Sequence, residues 1–290
     1  MKVFRTFPDP LEYATDWVSR HVQARVPVAD LDDRDPQLIS ATVDLGWLLA
    51  RLYFRAEVRG LDRIPGSGPI LLVGNHSGGN VSPEVFVTTL AFIRQFGVQR
   101  PFYQLAHDLV LAYPLLGSWL RRFGTVAADP GNASAALRSG AAVLVYPGGD
   151  WEVHRPTWEE GRIEFAGRTG FLQLAWDEQV PIVPVVNFGA QESELILARG
   201  DRLARLLRLD RMLRLKVFPI SLALPWGLDI GDLAGHIPLP SKITVEFLPP
   251  IDLRHLGPEL DLELAYRHVT ETMQRALTKL AAEHRFPILG

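Results

Sequence analysis

Short runs of β-forming residues alternate along this chain with longer stretches whose apolar residues have helical spacing. Each run is closed by Gly, Pro or Asn, and the runs are AEVRG (56–60), PILLVGN (69–75), AAVLVYPGG (141–149), PIVPVVNFG (181–189) and ITVEFLPP (243–250). Helices are predicted at about 39–54, 84–97, 107–122, 131–139, 168–179 and 260–284. This alternation predicts an α/β fold with a mostly parallel central sheet flanked by helices.

The chain shows no internal repeat, no low-complexity tract and no clear linker, so we predict a single folded domain over residues 41–290. Residues 1–40 are mixed and charged and contain four prolines. We expect them to form an irregular N-terminal arm with one helix around residues 10–24.

Composition excludes several classes of protein. The chain has 290 residues, 47% of them hydrophobic, which is enough to bury a substantial core. Its net charge of -3 argues against a nucleic-acid partner, because such proteins usually carry a clear positive excess. The absence of cysteine removes disulfides, thiolate zinc sites and cysteine nucleophiles, and fits a reducing compartment.

The sequence also lacks the usual membrane signals. The N-terminal segment MKVFRTFPDPLEYATDW has no apolar core of signal-peptide type. No window reaches the roughly 18 uninterrupted apolar residues of a spanning helix. We therefore expect a cytoplasmic protein, either dissolved or peripheral on the inner face of the membrane.

The first candidate site is ILLVGNHSGGNVSPE, residues 70–84, where a buried-type strand runs into a histidine. The strand fixes His76, and Gly78 and Gly79 permit backbone conformations in which their N–H groups can face a ligand. Glu84 stands where a helix is predicted to begin, and its carboxylate can hold the tautomer that leaves one ring nitrogen free as a base. The alternative is a strand-end histidine that merely hydrogen-bonds a backbone carbonyl.

The second candidate site is VLVYPGGDWEVHRP, residues 143–156, where another buried-type strand ends in a glycine pair. Pro-Gly-Gly also suits a simple turn. Because ligands of parallel sheets bind outside the carboxyl ends of strands, we predict that both segments share one pocket. The residues predicted to bind substrate there are Asn75, Ser77, Gly78, Gly79, Tyr146, Pro147, Gly148, Gly149, Asp150, Glu152 and Arg168. Asp150 and Glu152 are rivals of Glu84 as the partner of His76.

The sequence lacks the characteristic motifs of several other enzyme classes. The sequence has no G-x-S-x-G elbow, no dinucleotide fingerprint and no Walker loop. Asp150 and His154 are of metal-ligand type, but no further ligand cluster in the sequence supports them. We therefore expect neither a metal nor a bound cofactor.

An Arg-rich stretch forms a third feature. Residues 202–216 hold five Arg and one Lys against Asp210 alone, and the apolar segment FPISLALPWGL follows. The stretch is either a solvated helix whose Arg stems lie on apolar neighbours or a segment that docks on anionic lipid. The two interpretations stay open at this point.

Four segments in order carry a family resemblance: NHSGGNVSPE (75–84), LAHDLVLAYPLLGSWLRRFGTVAAD (105–129), LVYPGGDWE (144–152) and GRTGFLQLAWDEQVPIVPVVNFGAQE (167–192). They resemble the PlsC-like lysophospholipid and glycerolipid acyltransferase superfamily, and most of all its diacylglycerol-acyltransferase-like branch. The likeness covers about residues 40–255. The superfamily's usual motif places Asp five residues after the His, whereas this chain has Val81 there and its first acid is Glu84.

The resemblance implies a glycerol-3-phosphate acyltransferase-like fold and acyl transfer to the hydroxyl of a lipid or alcohol acceptor. The donor would be acyl-CoA, as a co-substrate, or acyl carrier protein, with His76 as general base and a membrane surface as a further partner. Many members carry an Arg for phosphate where this chain has Asp129-Pro130, and Arg155, Arg162 and Arg168 are the candidate substitutes. A hydrolase acting at the same site and a non-catalytic lipid-binding protein are the alternatives.

Overall fold

The computed structural model describes residue 20 and residues 28–113, 115–213, 215–232 and 235–290. The helix predicted around residues 10–24 lies outside these ranges except for Arg20.

Ten α-helices are present in the described ranges, several of them flanking the sheet. They are α1 (Pro36–Tyr53), α2 (Pro83–Phe96), α3 (Asp108–Ala112), α4 (Leu116–Arg122), α5 (Pro130–Arg138), α6 (Gly149–Val153), α7 (Gly170–Asp177), α8 (Asp201–Leu206), α9 (Leu209–Met212) and α10 (Leu262–Glu283). The strands are β1 (Glu57–Arg59), β2 (Ile70–Gly74), β3 (Phe102–Ala106), β4 (Thr125–Ala127), β5 (Ala142–Val145), β6 (Ile182–Phe188), β7 (Leu195–Ala198), β8 (Ile220–Ala223), β9 (Gly227–Ile230) and β10 (Thr244–Phe247).

Seven strands form the central sheet in the order β1-β10-β6-β2-β5-β3-β4. The five strands from β6 to β4 run parallel, while β10 is antiparallel to β6 and parallel to β1. The predicted α/β fold with a mostly parallel sheet flanked by helices is therefore confirmed. Strand β2 pairs with β5 on one side and with β6 on the other. Its carboxyl end is thus flanked by two further strand ends, where parallel sheets bind ligands.

The core lies on both faces of this sheet. All five residues of β2 are buried. Leu71 and Val73 pack into the cluster on one face, and Ile70 and Leu72 pack into the cluster on the other. Because successive strand side chains point to opposite faces, a strand covered on both sides needs a continuous apolar run. This requirement explains why ILLV has no polar residue.

Helix starts follow the local sequence. Asp35 caps α1 by accepting the N–H groups of Gln37 and Leu38, and Pro36 occupies the first turn. The boundary predicted at residue 40 thus falls inside α1. Asp129 caps α5 in the same way, with Pro130 next to it.

The structure differs from the predicted elements in several places. A single helix was predicted at about 107–122, but two short helices, α3 and α4, lie there. Strands β3 and β4, which flank them, were not among the predicted runs, because β4 has only three residues and β3 carries a glutamine at its centre. Buried Gln104 bridges Thr89 and Thr125 at 2.8 Å each, so its polar side chain is satisfied within the core.

A second, antiparallel sheet of three strands, β7-β8-β9, also lies outside the prediction. It holds the segment that follows the Arg-rich stretch. That stretch itself forms two short helices, α8 and α9, because Arg208 between them adopts a left-handed conformation with φ of 54°. It is therefore not one continuous helix.

The central core should be sensitive to the loss of apolar volume. Leu144 of β5 is fully buried, so Leu144→Ala is expected to lower the free energy of unfolding by about 2–5 kcal/mol in urea denaturation. Leu52→Ala makes the same change at a side chain that is 70% exposed on α1, and should cost less than about 0.5 kcal/mol. Equal losses in the two variants would contradict the described core.

Candidate active site

His76 stands two residues beyond β2, at the carboxyl edge of the sheet. Its ring stacks on Tyr146, with ring centroids 4.6 Å apart and planes inclined by 24°. Tyr146 follows β5, and burial raises the pKa of its phenol well above the ordinary value, so the ring stays neutral. A Cβ on Gly74 would lie 2.4 Å from the Tyr146 ring, which explains the glycine at the end of β2. Two neighbouring strand ends thus position the imidazole.

Glu84 holds the imidazole from the other side. Its Oε1 lies 2.6 Å from Nδ1 of His76 and accepts the backbone N–H of Ser77 at 3.1 Å. The side chain of Glu84 is fully buried in the first turn of α2, where the helix dipole favours a carboxylate. Positive φ angles at Gly78 and Gly79 let the intervening loop turn back. This is the contact that the sequence predicted for Glu84.

The remaining ring nitrogen of His76 is accessible. The side chain is 17% exposed, and Nε2 has no hydrogen-bond partner in the described chain. A carboxylate can only accept, so Nδ1 carries the proton in the neutral ring and Nε2 presents a lone pair. The arrangement is that of a general base with an orienting acid.

Two asparagines tie the ends of β2 and β6 together. Asn75 Nδ2 donates to the carbonyl of Asn187 at 3.0 Å, and Asn187 N–H donates to Asn75 Oδ1 at 2.8 Å. Asn187 Nδ2 also donates to the carbonyl of Asn75. Ser77 Oγ bonds to Asn187 Oδ1 at 2.9 Å. Asn75 and Ser77 thus position the loop. Asn187 was not among the predicted residues, and its signal in the sequence was a polar residue near the end of a buried strand.

Glu152 links the second glycine-rich loop to the first. Its Oε2 accepts the backbone N–H of His76 at 2.9 Å, and its Oε1 accepts that of Glu164 at 3.0 Å. Arg155 Nη2 lies 3.1 Å from Oε1. Burial raises the pKa of Glu152 to about 7, against the lowering effect of Arg155. A Cβ on Gly148 would lie 2.2 Å from Oε2, so the glycine makes room for this carboxylate.

Asp150 and Arg168 brace the Pro-Gly-Gly turn. Arg168 donates to the carbonyls of Pro147 and Gly148, at 3.0 and 2.6 Å, and to Asp150 at 2.8 Å. The second oxygen of Asp150 accepts the N–H of Lys216 at 2.7 Å. Both oxygens of Asp150 are therefore occupied away from His76. Of the three carboxylates considered as its ring partner, only Glu84 contacts the imidazole.

Backbone N–H groups of the two loops are the candidate donors to an oxyanion. Those of His76 and Ser77 are bound by carboxylates, and that of Gly149 donates to the carbonyl of Tyr146 at 3.1 Å. Within the described chain, the N–H groups of Gly78, Gly79 and Gly148 donate to no protein acceptor. These three N–H groups are therefore unpaired among the described residues, although all three glycines are buried.

Comparison with known proteins places this arrangement in a family. Residues 55–187 match the family model described as Acyltransferase. An uncharacterized protein of Mycobacterium tuberculosis is 32% identical over 264 residues, covering 88% of this chain and 70% of that protein. The chain belongs to the PlsC-like acyltransferase family, as the order of its motifs indicated.

Two further similarities lie at greater distance. Phytyl ester synthase 1 of Arabidopsis thaliana is 29% identical over 50% of this chain and 21% of that protein. The crystal structure of the 1-acyl-sn-glycerophosphate acyltransferase PlsC from Thermotoga maritima superposes with a TM-score of 0.53 over 93% of this chain and 94% of that one, at 17% identity. The second similarity shows a common fold.

Across the described residues, no helix combines the length and the apolar character that crossing a membrane requires.

The elevated pKa of Glu152 predicts a pH-dependent stability. The folded state keeps a proton that the unfolded state loses above its ordinary pKa of 4.5, so stability falls as the pH rises from there to about 7 and then levels off. Glu152→Gln removes this titration. Denaturation is measured at pH 5 and pH 8. Between these pH values, the free energy of unfolding of the variant should rise by up to about 3 kcal/mol relative to that of the parent.

The control for this prediction is Glu259→Gln, which neutralises an exposed carboxylate. Its stability should follow the parent curve at both pH values. A Glu152→Gln curve that also ran parallel to that of the parent would show that Glu152 ionises in the folded protein as it does in the unfolded chain.

Proposed function

We propose that this protein transfers an acyl group from a thioester, acyl-CoA or acyl carrier protein, to the hydroxyl of a lipid, with His76 as general base. The observation that carries the proposal is the bond of 2.6 Å between Glu84 and Nδ1 of His76, which leaves Nε2 free at the carboxyl edge of the sheet. Membership of the acyltransferase family supports the reaction class.

This geometry supports the following reaction. Nε2 of His76 takes the hydroxyl proton as the acceptor oxygen attacks the thioester carbonyl carbon. The new C–O bond gives a tetrahedral intermediate, from which the C–S bond breaks. The imidazolium returns its proton to the departing sulfur, so an ester and a free thiol result. Glu84 keeps the ring oriented and stabilises its positive charge during the step.

The negative charge on the tetrahedral intermediate needs donors already in place. The N–H groups of Gly78, Gly79 and Gly148 are free for this purpose among the described residues, and each good donor contributes about 3 kcal/mol to the transition state. Gly149, which the sequence analysis also considered, uses its N–H within its own turn.

The acceptor is proposed to be a neutral lipid alcohol without phosphate. Two of the arginines that could replace the family's phosphate ligand have protein partners: Arg155 binds Glu152, and Arg168 binds Asp150 and two carbonyls. Arg162 is exposed. The phytyl ester synthase among the relatives makes, by its name, an ester of an alcohol that carries no phosphate, which supports the same choice.

An exposed apolar face supports docking on a membrane. Leu222 pairs with Leu228 and with Leu195 across the small sheet, and Ile230 lies on the same face, two residues from Leu228. These four side chains are exposed, as is Trp226 in the β8–β9 turn. A continuous apolar face of this kind usually marks an interaction surface.

Helix α1 extends this apolar surface. Its exposed apolar side chains are Leu45, Leu48, Leu49, Leu52 and Tyr53. Tyr53 Oη donates to the carbonyl of Pro238 at 2.6 Å, next to the bridge between Ile237 and Leu224 beside the small sheet. The exposed cations Arg202, Arg205, Arg211 and Lys216 lie on or beside α8 and α9. We infer that this surface meets an anionic membrane, with the cytoplasmic face as its location.

The reaction can be tested directly. Purified protein is incubated with labelled acyl-CoA and a panel of lipid acceptors, with and without phosphate, and the products are identified by mass. The expected result is an ester of a neutral alcohol together with free CoA. Formation of fatty acid alone, whatever alcohol is added, would identify a hydrolase, and no turnover with any donor would refute the proposal.

His76→Ala should lower acyl transfer at least about a thousandfold, because the base and its alignment are lost together. Glu84→Gln should cost about 10²- to 10⁴-fold, since the amide can donate to Nδ1 and thereby place the proton on Nε2. Rates are compared in folded protein, as checked by circular dichroism. His268→Ala, at an exposed site on α10, is the matched control and should keep the parent rate. A folded His76→Ala with activity within tenfold of the parent would remove His76 as the base.

Membrane docking predicts co-sedimentation with vesicles that contain phosphatidylglycerol, and binding should weaken as salt rises. Trp226→Ala should reduce binding at every salt concentration, because the side chain is 57% exposed on the apolar face. The pair Arg202→Gln and Arg211→Gln should flatten the salt dependence, whereas Arg275→Gln on α10 should leave it unchanged. Binding to neutral vesicles as strong as to anionic ones would refute the electrostatic contribution.

A further inference from the structure

A second group of ionisable side chains lies beside the loop Gly78–Asn80, here named the catalytic loop because it follows His76 in the proposed reaction, and the proposed acyl transfer does not use this group. Glu194 directly precedes β7, Asp232 lies two residues beyond β9, and His236 follows four residues later. All three side chains are fully buried. Burial of two carboxylates is unfavourable unless a positive charge or a metal compensates for them.

The spacing of these groups is that of metal ligands. Nδ1 of His236 lies 3.1 Å from Oδ1 of Asp232, which is a hydrogen bond, and 3.7 Å from Oε2 of Glu194. A bound ion would take the place of the proton in this hydrogen bond. One ligand atom from each of the three residues lies within 4.8 Å of the others. A tetrahedral zinc ion with bonds of 2.0–2.1 Å separates its ligand atoms by about 3.4 Å. Small adjustments of side chains would therefore place all three around one ion.

Glu194 within this group and His154 beside it both have buried polar atoms without a hydrogen-bond partner in the part of the chain that the structure describes. Both carboxylate oxygens of Glu194 have no hydrogen-bond partner within the described residues. The same holds for Nε2 of His154, whose side chain is 6% exposed and which lies 3.6 Å from Oδ2 of Asp232.

The hydrogen bond that His154 makes determines which of its ring nitrogens carries a proton and which faces Asp232. Its Nδ1 lies 3.2 Å from the carbonyl oxygen of Asp150, which can only accept, so Nδ1 carries a proton. In the neutral ring, Nε2 is then a lone pair directed at the carboxylate of Asp232. Two acceptors that face each other in a buried site need either a proton between them, which would make His154 the cation, or a metal ion close by.

Among the residues that the structure describes, neither Glu194 nor Asp232 makes an ion pair with Lys or Arg, so that charge must come from the imidazoles of His236 and His154 or from a bound ion. We propose that Glu194, Asp232 and His236 bind one divalent transition-metal ion, Zn²⁺ in the first place, with His154 packed beside it. An imidazole in the ligand set favours zinc over Mg²⁺ or Ca²⁺, which prefer all-oxygen sites. The sequence predicted no metal, because Glu194 is far along the chain from Asp232.

The ion would hold the catalytic loop to the small sheet. Asn80 donates its backbone N–H to Oδ2 of Asp232 at 2.6 Å and its side-chain amide to the Asp232 carbonyl at 2.7 Å. A Cβ on Gly79 would lie 1.8 Å from Oε2 of Glu194, so the loop backbone contacts the ligands directly. The metal's role is structural, since it fixes the Gly78–Asn80 loop and does not touch the reacting atoms.

The test begins with metal analysis of full-length protein that carries no polyhistidine tag and is purified without chelators. Mass spectrometry of the elements should find about one equivalent of zinc or another first-row divalent metal. Removal of the metal with dipicolinate should lower the melting temperature by about 5–10 °C, and ZnCl₂ should restore it. Protein that purifies without metal and whose melting temperature does not respond to Zn²⁺, Mn²⁺ or Co²⁺ would overturn the proposal.

Variants locate the ion. His236→Gln and Glu194→Gln should lose the metal and the response to ZnCl₂. The matched control is His284→Gln, because His284 also pairs with a buried carboxylate, Glu192, at 3.0 Å but lies outside the group. It should keep both properties. Metal retained at the parent level by His236→Gln would place the ion elsewhere and overturn the assignment. The parent experiment stands by itself if a variant does not fold, and it does not depend on acyl transfer.

Discussion

The buried bond between Glu84 and His76 is the contact on which the carboxyl edge of the sheet depends. A carboxylate with no exposed surface depends on fixed partners, and Oε1 of Glu84 finds them in the imidazole and in the N–H of Ser77, while Oε2 has no hydrogen-bond partner among the described residues. The start of α2 and the turn through Gly78 and Gly79 must therefore hold one geometry. The same constraint that stabilises the acid selects the tautomer in which His76 can act as a base.

Close packing of the two glycine-rich loops follows from this constraint. Gly74 admits the Tyr146 ring against His76, and Gly148 admits the carboxylate of Glu152 under the His76 backbone. Each glycine removes a Cβ where another residue's side chain must stand. The two loops are thus packed against each other through these glycines, and in the proposed reaction this packing would hold the backbone donors in place for an oxyanion. The unfavourable part of this arrangement is the burial of Glu152, which raises its pKa because burial disfavours the charged form.

The small sheet links the site to the surface of the protein. Its outer face presents apolar side chains, whereas the segment after β9 returns Asp232 to Asn80 in the catalytic loop. The exposed apolar face and the loop that follows His76 are thereby parts of one connected unit. If the proposed ion is bound there, its positive charge compensates for the buried carboxylates of Glu194 and Asp232, which join the small sheet to this loop. A lipid substrate held at the membrane would then lie next to the element that positions the base.

Local features were available from the sequence by itself. The run ILLV had to be a strand covered on both faces, and eight residues with two glycines sufficed to return Glu84 to His76, because both constraints act over short stretches of chain. Contacts made across the fold were decided only by the tertiary structure. The bond of Glu152 to the His76 backbone, the Asn75–Asn187 pair, and the group formed by Glu194, Asp232 and His236 each join distant segments. Strand order brings those segments together, and no local periodicity encodes strand order.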